Sequence, residues 1–500
     1  MHKVIDPQLQ IGEQDISAIR LDPKSRDDIP QILLGLQHIY TTREVREAVF
    51  AILEEVLAER SDEGESGKVD PHTGRPGMLQ WQILVLGVLR LGLNADYDRV
   101  QELANQHNTI RQMLGHSDWA DEKYYELQTL KDNLRLFTPE VLERINREVV
   151  RAGHQALKKS PEDDVVGRCD SFVVETDVHF PTDINLLLDA IRKVIRISAE
   201  LADEYGLSGW RQHQYHQQQF KKHYRKVQRL KHSTSKNETK RQRKREEIQE
   251  AHCTYIDLAR DHLARADQTR QQIAPNDPVA YVQLCKLDEF IQHALRQIDQ
   301  IDRRVLQGER IPHDEKVFSL FQPHTEWISK GKAGVPVELG VRVCVMEDRD
   351  RFILHHQVME KSTDEQVAVS MVVETKQQFP ALRAVSMDKG FHSQPNQKEL
   401  KKHLEEVILP KKGRLSKADK IRESGEEFIH LRKQHAAVES AINALEVHGL
   451  DKCLDHGIDG FKRYVALAIV ARNIQRLGAL LRQQEKEKEQ RKRGPYRKAA

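Results

Sequence analysis

The sequence has few cysteines and no cysteine pair of the kind that binds zinc. Five cysteines are spread over 500 residues, and no two of them form a C-x-x-C pair. The scattered spacing is not typical of a zinc site or of a disulfide framework. We expect reduced, mostly buried thiols.

Long apolar runs are also missing. No stretch approaches the roughly 20 apolar residues of a membrane-spanning helix, and the first residues, MHKVIDPQLQIGEQD, contain no apolar signal-peptide core. Hydrophobic residues make up 38% of the chain and charged residues 31%, which is typical of a soluble protein with much polar helical surface. The sequence therefore predicts a cytoplasmic protein of roughly two to four structural units, without a membrane partner.

An excess of charge of one sign is missing as well. The formal net charge is only +2, which by itself gives no argument for a nucleic-acid partner. The distribution is more informative, because the segment from Lys221 to Arg245 is densely basic with few acids and the chain ends in RKRGPYRKAA. Such segments can neutralise phosphates even in a near-neutral protein, although solvated helix surface has the same composition.

Hydrophobic spacing predicts two helical regions in the first 160 residues. Residues 1–70 are predicted to be an N-terminal helical arm, with a helix from Thr42 to about Arg60 and a domain boundary near residue 70. Residues 71–160 contain a strongly apolar helix and two shorter ones, which favours a helix-turn-helix-like DNA-binding domain and a plain helical bundle equally. At the other end, residues 486–500 are predicted to be a charged, disordered tail.

Residues 185–310 are predicted to be a long, basic helical insertion. Apolar residues in its second half alternate by three and four positions, which is a heptad pattern. The simplest interpretation is an antiparallel helical hairpin that forms a coiled coil, and the alternative is an intermolecular seam that makes a dimer. The heptad positions are Leu284, Leu287, Ile291, Ala294, Ile298, Ile301 and Val305.

The regions on either side of the insertion, 161–184 and 311–485, are predicted to form one α/β domain. Three strands are predicted in KVFSLFQPH, VPVELGVRVCVMED and RFILHHQVME, followed by a helix and a short strand that ends at Asp388. VILPKKG adds one more short strand before a helical last third. This order predicts a mixed sheet flanked by helices.

Three acids in this domain have apolar neighbours. Asp170 begins the strand-like segment DSFVVETDVHFPTD, Asp388 ends an apolar strand, and Glu439 lies among apolar residues of a predicted helix. A carboxylate in an apolar setting is costly unless it binds something, and Mg²⁺ prefers hard oxygen ligands. We therefore interpret the three acids as a metal-binding triad.

The segments that carry these acids resemble those of bacterial insertion-sequence DDE transposases of the ISNCY group. DSFVVETDVHFPTD resembles that group's first-acid segment, MDKGFHS its second-acid segment, and HAAVESAINALEVHGLDKC its third-acid helix, while FSLFQPHTEWISKGKAGVPVELGVRV resembles its second strand region. The likeness covers most of residues 70–480. It implies an RNase H-like catalytic core, Asp170, Asp388 and Glu439 as catalytic metal ligands, and Mg²⁺ or Mn²⁺ as cofactor.

Asp177 is an alternative to Asp170 as the first acid. The family has two threonines after its first aspartate, where this chain has Ser171 and Phe172, and Asp177 stands where the family has asparagine. A strand that starts near Val165 can present either acid, but the two differ by seven positions and so point to opposite faces. Asp170 is favoured.

Basic residues on turns near the proposed site and in the insertion are candidate DNA contacts. Solvated loop charge is an equally good interpretation of the turn residues. Tyr215, Phe220 and Tyr224 interleave with the basic residues of the insertion, which suits tracking of a DNA backbone as well as a solvated helix face. The candidates are Lys330, Lys332, Lys389, Lys411, Lys412 and Arg414 on turns, and Lys221, Lys222 and Arg225 in the insertion.

Two histidines and a fourth aspartate complete the candidate set. His392 and His435 lie close in sequence to Asp388 and Glu439, and either can orient a phosphate or a water, although a hydrogen-bonded structural histidine is more common. Asp183 is interpreted as a helix N-cap and not as a ligand.

The resemblance implies a cut-and-paste DNA transposase in the bacterial cytoplasm, associated with the nucleoid. One metal site would serve both hydrolysis at the element ends and attack of the freed 3′-hydroxyls on target DNA. Terminal inverted repeats and target DNA are the expected partners, and joining two ends implies a homodimer or a higher assembly. The alternatives are a catalytically inactive or repurposed DNA-binding scaffold protein and a metal nuclease without strand transfer.

Overall fold

In the computed structural model the chain forms two compact units. One unit comprises Met1–Asp177 and Ile328–Ala500, and the other comprises Val178–Trp327. The predicted insertion therefore lies within a longer unit, while the boundary predicted near residue 70 lies outside the described part of the chain. The structure describes residues 3–5, 15–62, 77–116, 123–274, 277–329 and 336–493.

Among the described residues, the first 156 are helical, and all strands except β1 lie beyond residue 325. The helices are α1 (Ile29–Thr41), α2 (Arg43–Asp62), α3 (Gln80–Gly92), α4 (Tyr97–Gln106), α5 (Asn108–Met113), α6 (Leu127–Leu134), α7 (Pro139–Ala156), α8 (Asp183–Glu204), α9 (His213–Arg229), α10 (Glu238–Gln271), α11 (Tyr281–Ile301), α12 (Asp364–Gln378), α13 (Gln394–His403), α14 (Lys417–Glu423), α15 (Glu426–His435), α16 (Ala437–Leu445) and α17 (Ile458–Arg493). The strands are β1 (Val165–Thr176), β2 (Glu326–Ser329), β3 (Val337–Asp348), β4 (Ile353–Met359), β5 (Leu382–Met387), β6 (Glu406–Ile408) and β7 (Lys452–Cys453).

The seven strands of the described residues form one mixed sheet. Its order is β2-β3-β1-β5-β6, with β4 also pairing with β3 and β7 with β1. β1 runs antiparallel to β3 and parallel to β5, and β6 continues the parallel part. α12 packs on β3, β4 and β5, whereas α15 packs on β5 and β6 and α16 on β1. The predicted mixed α/β fold, a sheet flanked by helices, is confirmed.

Two strand predictions are wrong in position. KVFSLFQPH forms turns, and β2 begins only after it, at Glu326. β1 ends at Thr176, so the β-forming residues Val178 and Phe180 lie beyond the strand. Both errors have the same cause, because an apolar alternation does not show where a strand loses its hydrogen-bonding partner.

The N-terminal helices share a core with the sheet. α1 and α3 pack against α17, and α7 packs against both α2 and α17. Every residue of α3 is buried. Because a recognition helix must present one face to a DNA groove, α3 is a core helix, and a helix-turn-helix role for α4 and α5 stays a prediction.

α17 is the central helix of this core. By length and composition it could cross a membrane, but 78% of its apolar window is buried inside the protein. The predicted disordered tail is wrong in its first part, because α17 continues as a helix to Arg493. Residues 494–500, with most of the RKRGPYRKAA segment, lie outside the described residues.

The second unit is a helical bundle built around α8. α9, α10 and α11 all pack against α8. The first turn of α8 is capped by Thr182, whose Oγ1 accepts a hydrogen bond from the Asn185 backbone N–H at 3.2 Å. The predicted N-cap, Asp183, is therefore wrong by one position, and Asp183 instead forms an ion pair of 2.5 Å with Arg304.

The heptad seam of α11 is buried inside this bundle. α11 packs chiefly against α8 and only to a smaller extent against α10. Leu287, Ala294 and Ile301 are fully buried. The predicted two-helix coiled coil is therefore not confirmed, because α8 is the main partner of the seam. Most of the seam is covered within the chain.

Candidate active site

Two of the predicted aspartates are neighbours where β5 ends beside the middle of β1. Cys169 of β1 is paired in parallel register with Met387, the last residue of β5. The residues that follow this pair are Asp170 and Asp388. Because parallel strands keep their register along the ladder, the pairing brings two of the predicted acids together.

The chain turns away directly after Asp388. The Asp388 side chain caps a short 3-10 turn, and its Oδ1 accepts a hydrogen bond of 2.6 Å from the backbone N–H of Lys389. The carboxylate stays exposed at the C-terminal end of β5. In α/β sheets this end of a parallel strand is where ligands bind.

The third acid, Glu439, comes from a helix. α16 packs on β1 with Val438 and Ala441 buried, while Glu439 is exposed. Its negative charge is close enough to Asp170 to raise the pKa of that carboxyl. The three predicted acids, from β1, from the end of β5 and from α16, are thus near enough for their charges to interact. Among the described residues their ligand atoms are not grouped within 4.8 Å of one another.

The pKa of Asp170 is raised to about 6. Burial is the largest cause, and the negative charges of Asp388, Asp364 and Glu439 act in the same direction. The backbone N–H of Ser171, which donates to Asp170 Oδ1 at 2.8 Å, opposes the shift. Carboxylates that converge in this way repel one another unless a cation lies among them. Their hard oxygen atoms suit Mg²⁺ or Mn²⁺.

Asp364 is a member of this group that the sequence reasoning missed. It is the first residue of α12, and the Ser171 hydroxyl donates to its Oδ1 at 2.6 Å. In the sequence, Thr363 and Gln366 form a capping box around it. An acid in the first turn is expected for the helix itself, so nothing in the sequence distinguishes Asp364 from an ordinary helix-start residue.

Of the two candidate histidines, only His435 is close to the acids. Burial lowers the pKa of His435, and the nearby charges of Asp388 and Glu439 oppose that effect. The Ser386 hydroxyl lies 3.1 Å from His435 Nδ1. His392 is buried, but the charges that reach it come from α14 and the loop before it.

Asp177 is held in a surface ion pair. It is exposed beyond the end of β1, and its Oδ1 lies 2.6 Å from Lys452 Nζ. Seven residues of strand separate it from Asp170 by about 23 Å. The geometry therefore favours Asp170 as the first acid.

No known family model, curated protein or solved structure matches this chain. The interpretation of the acid site therefore rests on its own geometry and on the segments described above.

Two of the predicted basic turn residues have protein partners. Lys412 Nζ donates to the Gly390 carbonyl oxygen at 2.8 Å, which holds it beside the turn that follows β5. Lys411 Nζ lies 2.5 Å from an Asp419 carboxylate oxygen. The charge of Lys411 is thus already balanced, which weakens the case for a phosphate contact.

Of the other four predicted turn residues, the structure describes two. Lys389 and Arg414 are exposed, and neither forms an ion pair with a described residue. Lys330 and Lys332 lie outside the described residues. Lys389 and Arg414 are therefore the basic residues of this region that are best suited to bind a phosphate.

α9 presents a cationic face in the second unit. The predicted Lys221, Lys222 and Arg225, together with Lys226 and Arg229, line a concave surface of about 920 Å³. None of the five forms an ion pair with a described residue, whereas basic residues at the start of α10 pair with glutamates of their own helix. An unpaired cationic face of this kind suits a phosphate backbone.

The aromatic residues of α9 mostly point inward. Phe220 is fully buried and stacks on Tyr255, with ring centroids 4.6 Å apart. The Tyr224 hydroxyl donates to the side chain of Asn185. Only Tyr215, which is 55% exposed, is available to stack on a base among the three predicted aromatics.

A different set of residues, at the end of β3, meets the distance requirement for a metal site. Ligand atoms of His154, Asp348 and Asp350 are within 4.8 Å of one another. His154 Nε2 lies 2.6 Å from one Asp348 oxygen, and the other accepts from the Phe352 backbone N–H at 2.9 Å. Lys159 forms an ion pair with Asp350. Because protein groups already neutralise these acids, they are better explained as a structural cluster.

Proposed function

We propose that this protein is a DDE-type DNA transposase that cleaves insertion-sequence ends and joins their 3′-hydroxyls to target DNA. The observation that carries the proposal is the parallel register of β1 and β5, which sets Asp170 beside Asp388. Glu439 approaches the same point from α16. These are the three acids, in the same chain order, that the resemblance to ISNCY transposases implies.

We propose that the sheet is an RNase H-like core. The antiparallel strands β1, β3 and β4, followed by α12 and the parallel strands β5 and β6, support this proposal. The second unit, with its basic α9, is inserted between β1 and β2. This unit is a helical bundle in which α11 packs on α8.

Asp170, Asp388 and Glu439 would hold Mg²⁺ or Mn²⁺. When bound, the metal would supply activation of a water or a 3′-hydroxyl and stabilisation of the leaving oxygen. Asp170, which is partly buried, would be ionised by the nearby cation. His435 lies beside Asp388 and Glu439 and would orient a phosphate or a water, because its ring is near both carboxylates.

DNA would reach this protein through sequence-independent contacts to phosphates. Lys389 and Arg414 beside the acid site and the cationic face of α9 are the residues proposed for this role. Two element ends must be joined, so we propose a homodimer on terminal inverted repeats and target DNA, in the cytoplasm at the nucleoid.

The test uses DNA fragments that carry the sequences flanking the gene, where inverted repeats are expected. Purified protein with Mg²⁺ should cleave these ends, and Asp388→Ala should reduce cleavage by about a thousandfold or more, because charge stabilisation in the transition state is lost. Asp177→Ala, which removes an exposed acid paired with Lys452, is the matched control. Undiminished cleavage by Asp388→Ala would refute the mechanism.

The alternative functions give different results in the same experiments. A metal nuclease would cleave the ends without joining them to target DNA. A DNA-binding scaffold would neither cleave the ends nor join them to target DNA. In calorimetry, Glu439→Gln would then leave Mn²⁺ binding unchanged.

A further inference from the structure

A cavity of about 690 Å³ lies inside the second unit. It is formed where the start of α8, the end of α9 and the first half of α10 meet the turn after α11. Its volume is within the range of small-ligand pockets. The apolar residues of its wall are Ile184, Val227, Leu230, Ile248 and Val305.

His252 of α10 contributes an unpaired nitrogen to this cavity. Its side chain is only 7% exposed, and Nδ1 lies 2.7 Å from the Ile248 carbonyl oxygen. Because a carbonyl oxygen only accepts, Nδ1 carries the proton, and Nε2 of the neutral ring is an acceptor. Nε2 has no partner among the described residues. A buried acceptor without a donor is costly, so this nitrogen points to a ligand that supplies a hydrogen.

The surroundings of His252 keep its ring neutral. Burial lowers the pKa of His252, and the nearby charges of Arg304 and His232 act in the same direction. The Ile248 carbonyl and Asp183 oppose the shift, but Asp183 is paired with Arg304 at 2.5 Å. A simple anion has no hydrogen to donate to Nε2. A nucleobase, by contrast, has N–H groups on its pairing edge.

Arg245 is a cation of this cavity that no acid balances. It is exposed, and it forms no ion pair with a described residue. The first turn of the 22-residue helix α8 contributes Ile184 and Asn185 to the wall, and the positive end of a helix dipole favours anions. The polar part of the cavity therefore suits a phosphate, and the apolar part suits a base.

The cavity adjoins the cationic face of α9. Leu230, directly after α9, lines both the cavity and the concave surface that this face forms. A DNA strand with its phosphates on α9 would therefore bring a nucleotide within reach of the cavity. The nucleotide has to be unpaired, because the pairing edge of a base in a duplex is already hydrogen-bonded.

We propose that this cavity binds one unpaired nucleotide of the DNA that lies along α9. The base would lie between the apolar walls and donate an N–H to His252 Nε2, while its phosphate would contact Arg245. All four DNA bases have an N–H donor on the pairing edge, so this contact does not select one base. The inference rests on the proposed DNA binding by α9 and deepens it, and it does not depend on the metal site.

The test compares two labelled duplexes by fluorescence anisotropy, with a chelator present so that no cleavage occurs. One duplex is blunt, and the other has a short single-stranded extension. The wild type should bind the extended duplex about tenfold more tightly, because the unpaired nucleotide satisfies a buried acceptor. His252→Phe keeps an aromatic ring but removes the acceptor, so it should lose this preference and bind the blunt duplex as the wild type does.

Arg245→Ala tests the phosphate contact at an exposed position, where the fold does not depend on the side chain. It should also reduce the preference for the extended duplex. Arg243→Ala is the matched control, because Arg243 is an exposed arginine of the same helix that does not line the cavity and has no described acid partner. It should keep the preference.

The outcomes separate this inference from the proposed function. If the wild type binds neither duplex, DNA binding by α9 is refuted. If it binds both duplexes equally, DNA binding stands and the role of the cavity is refuted. An unchanged preference in His252→Phe or in Arg245→Ala would also overturn the inference. Calorimetry with deoxyadenosine monophosphate tests the remaining source: binding of this free nucleotide without any gain from the extension would show a site for free nucleotides, which contradicts the proposal.

Discussion

Asn473 of α17 donates a 2.7 Å hydrogen bond to the side chain of Asn146 of α7 in the middle of the core. Both residues also bond to β4. Asn146 and Asn473 donate to the Ile353 carbonyl oxygen at 3.0 and 2.8 Å, and the Ile353 backbone N–H donates to Asn473 at 2.9 Å. Two buried amides thus connect an N-terminal helix, the C-terminal helix and an edge of the sheet.

Asn473→Ala should destabilise the protein strongly. The substitution leaves the Asn146 amide and the Ile353 backbone N–H without this buried partner, at a cost of about 1–3 kcal/mol for each unsatisfied group. Urea unfolding followed by circular dichroism measures the loss. Gln483→Ala on the same helix, where the side chain is more accessible, should change the free energy of unfolding little. Equal stability of the two variants would contradict the proposed importance of the network.

His355 should make the stability depend on alkaline pH. Its Nδ1 lies 2.7 Å from Glu143 and its Nε2 3.1 Å from Glu374. Burial lowers the pKa of His355, but the two carboxylates outweigh it and raise the pKa to about 9. Because the folded pKa is above the unfolded value of 6.5, the stabilisation is complete below pH 6.5 and is lost as the pH rises through 9.

The expected loss in the free energy of unfolding is about 2 kcal/mol. This is less than the full pKa shift of His355 would give, because Glu374 is half-exposed and its charge is screened by solvent. Chemical denaturation at pH 6.5, 8 and 9.5 checks it. His355→Gln should be less stable at pH 6.5 and should show little further change up to pH 9.5. His430→Gln, at an exposed histidine of α15, should keep the wild-type dependence. If the stability of the wild type does not fall over this pH range, protonation of His355 is not coupled to folding.

Removing charge from the α9 face should weaken DNA binding and reduce its salt dependence. Lys222→Ala combined with Arg225→Ala removes two exposed cations that have no described acid partner. The slope of log affinity against log salt should therefore fall by about 0.9 for each phosphate that the protein no longer neutralises. Fluorescence anisotropy with a labelled duplex at several salt concentrations measures both the affinity and the slope.

The matched control is Arg241→Ala combined with Lys244→Ala on α10. It removes the same charge from the same unit, but these residues pair with Glu238 and Glu247. The control should therefore keep most of the affinity and the slope. If both double variants behave alike, the α9 face is not a specific contact surface.

Local structure was largely predictable from the sequence. The strand that ends before Asp388, the β3–β4 pair and the helix of α12 follow from hydrophobic spacing and turn residues. Three of the five cysteines are buried, in agreement with the expectation of mostly buried thiols. The partner of each element was less predictable, as the burial of the α11 seam on α8 and not on α10 illustrates.

By itself, the sequence determined most of the strands and helices and the three acids that they carry or precede, because side-chain period and turn chemistry are local properties. Only the tertiary structure decided that Asp170 and Asp388 are neighbours, that Asp177 is bound to Lys452 and that Asp364 joins the group. These relationships depend on strand register and on helix packing between segments far apart in the chain. No local sequence pattern specifies these relationships, because strand register and helix packing depend on which arrangement buries the apolar residues of the whole core.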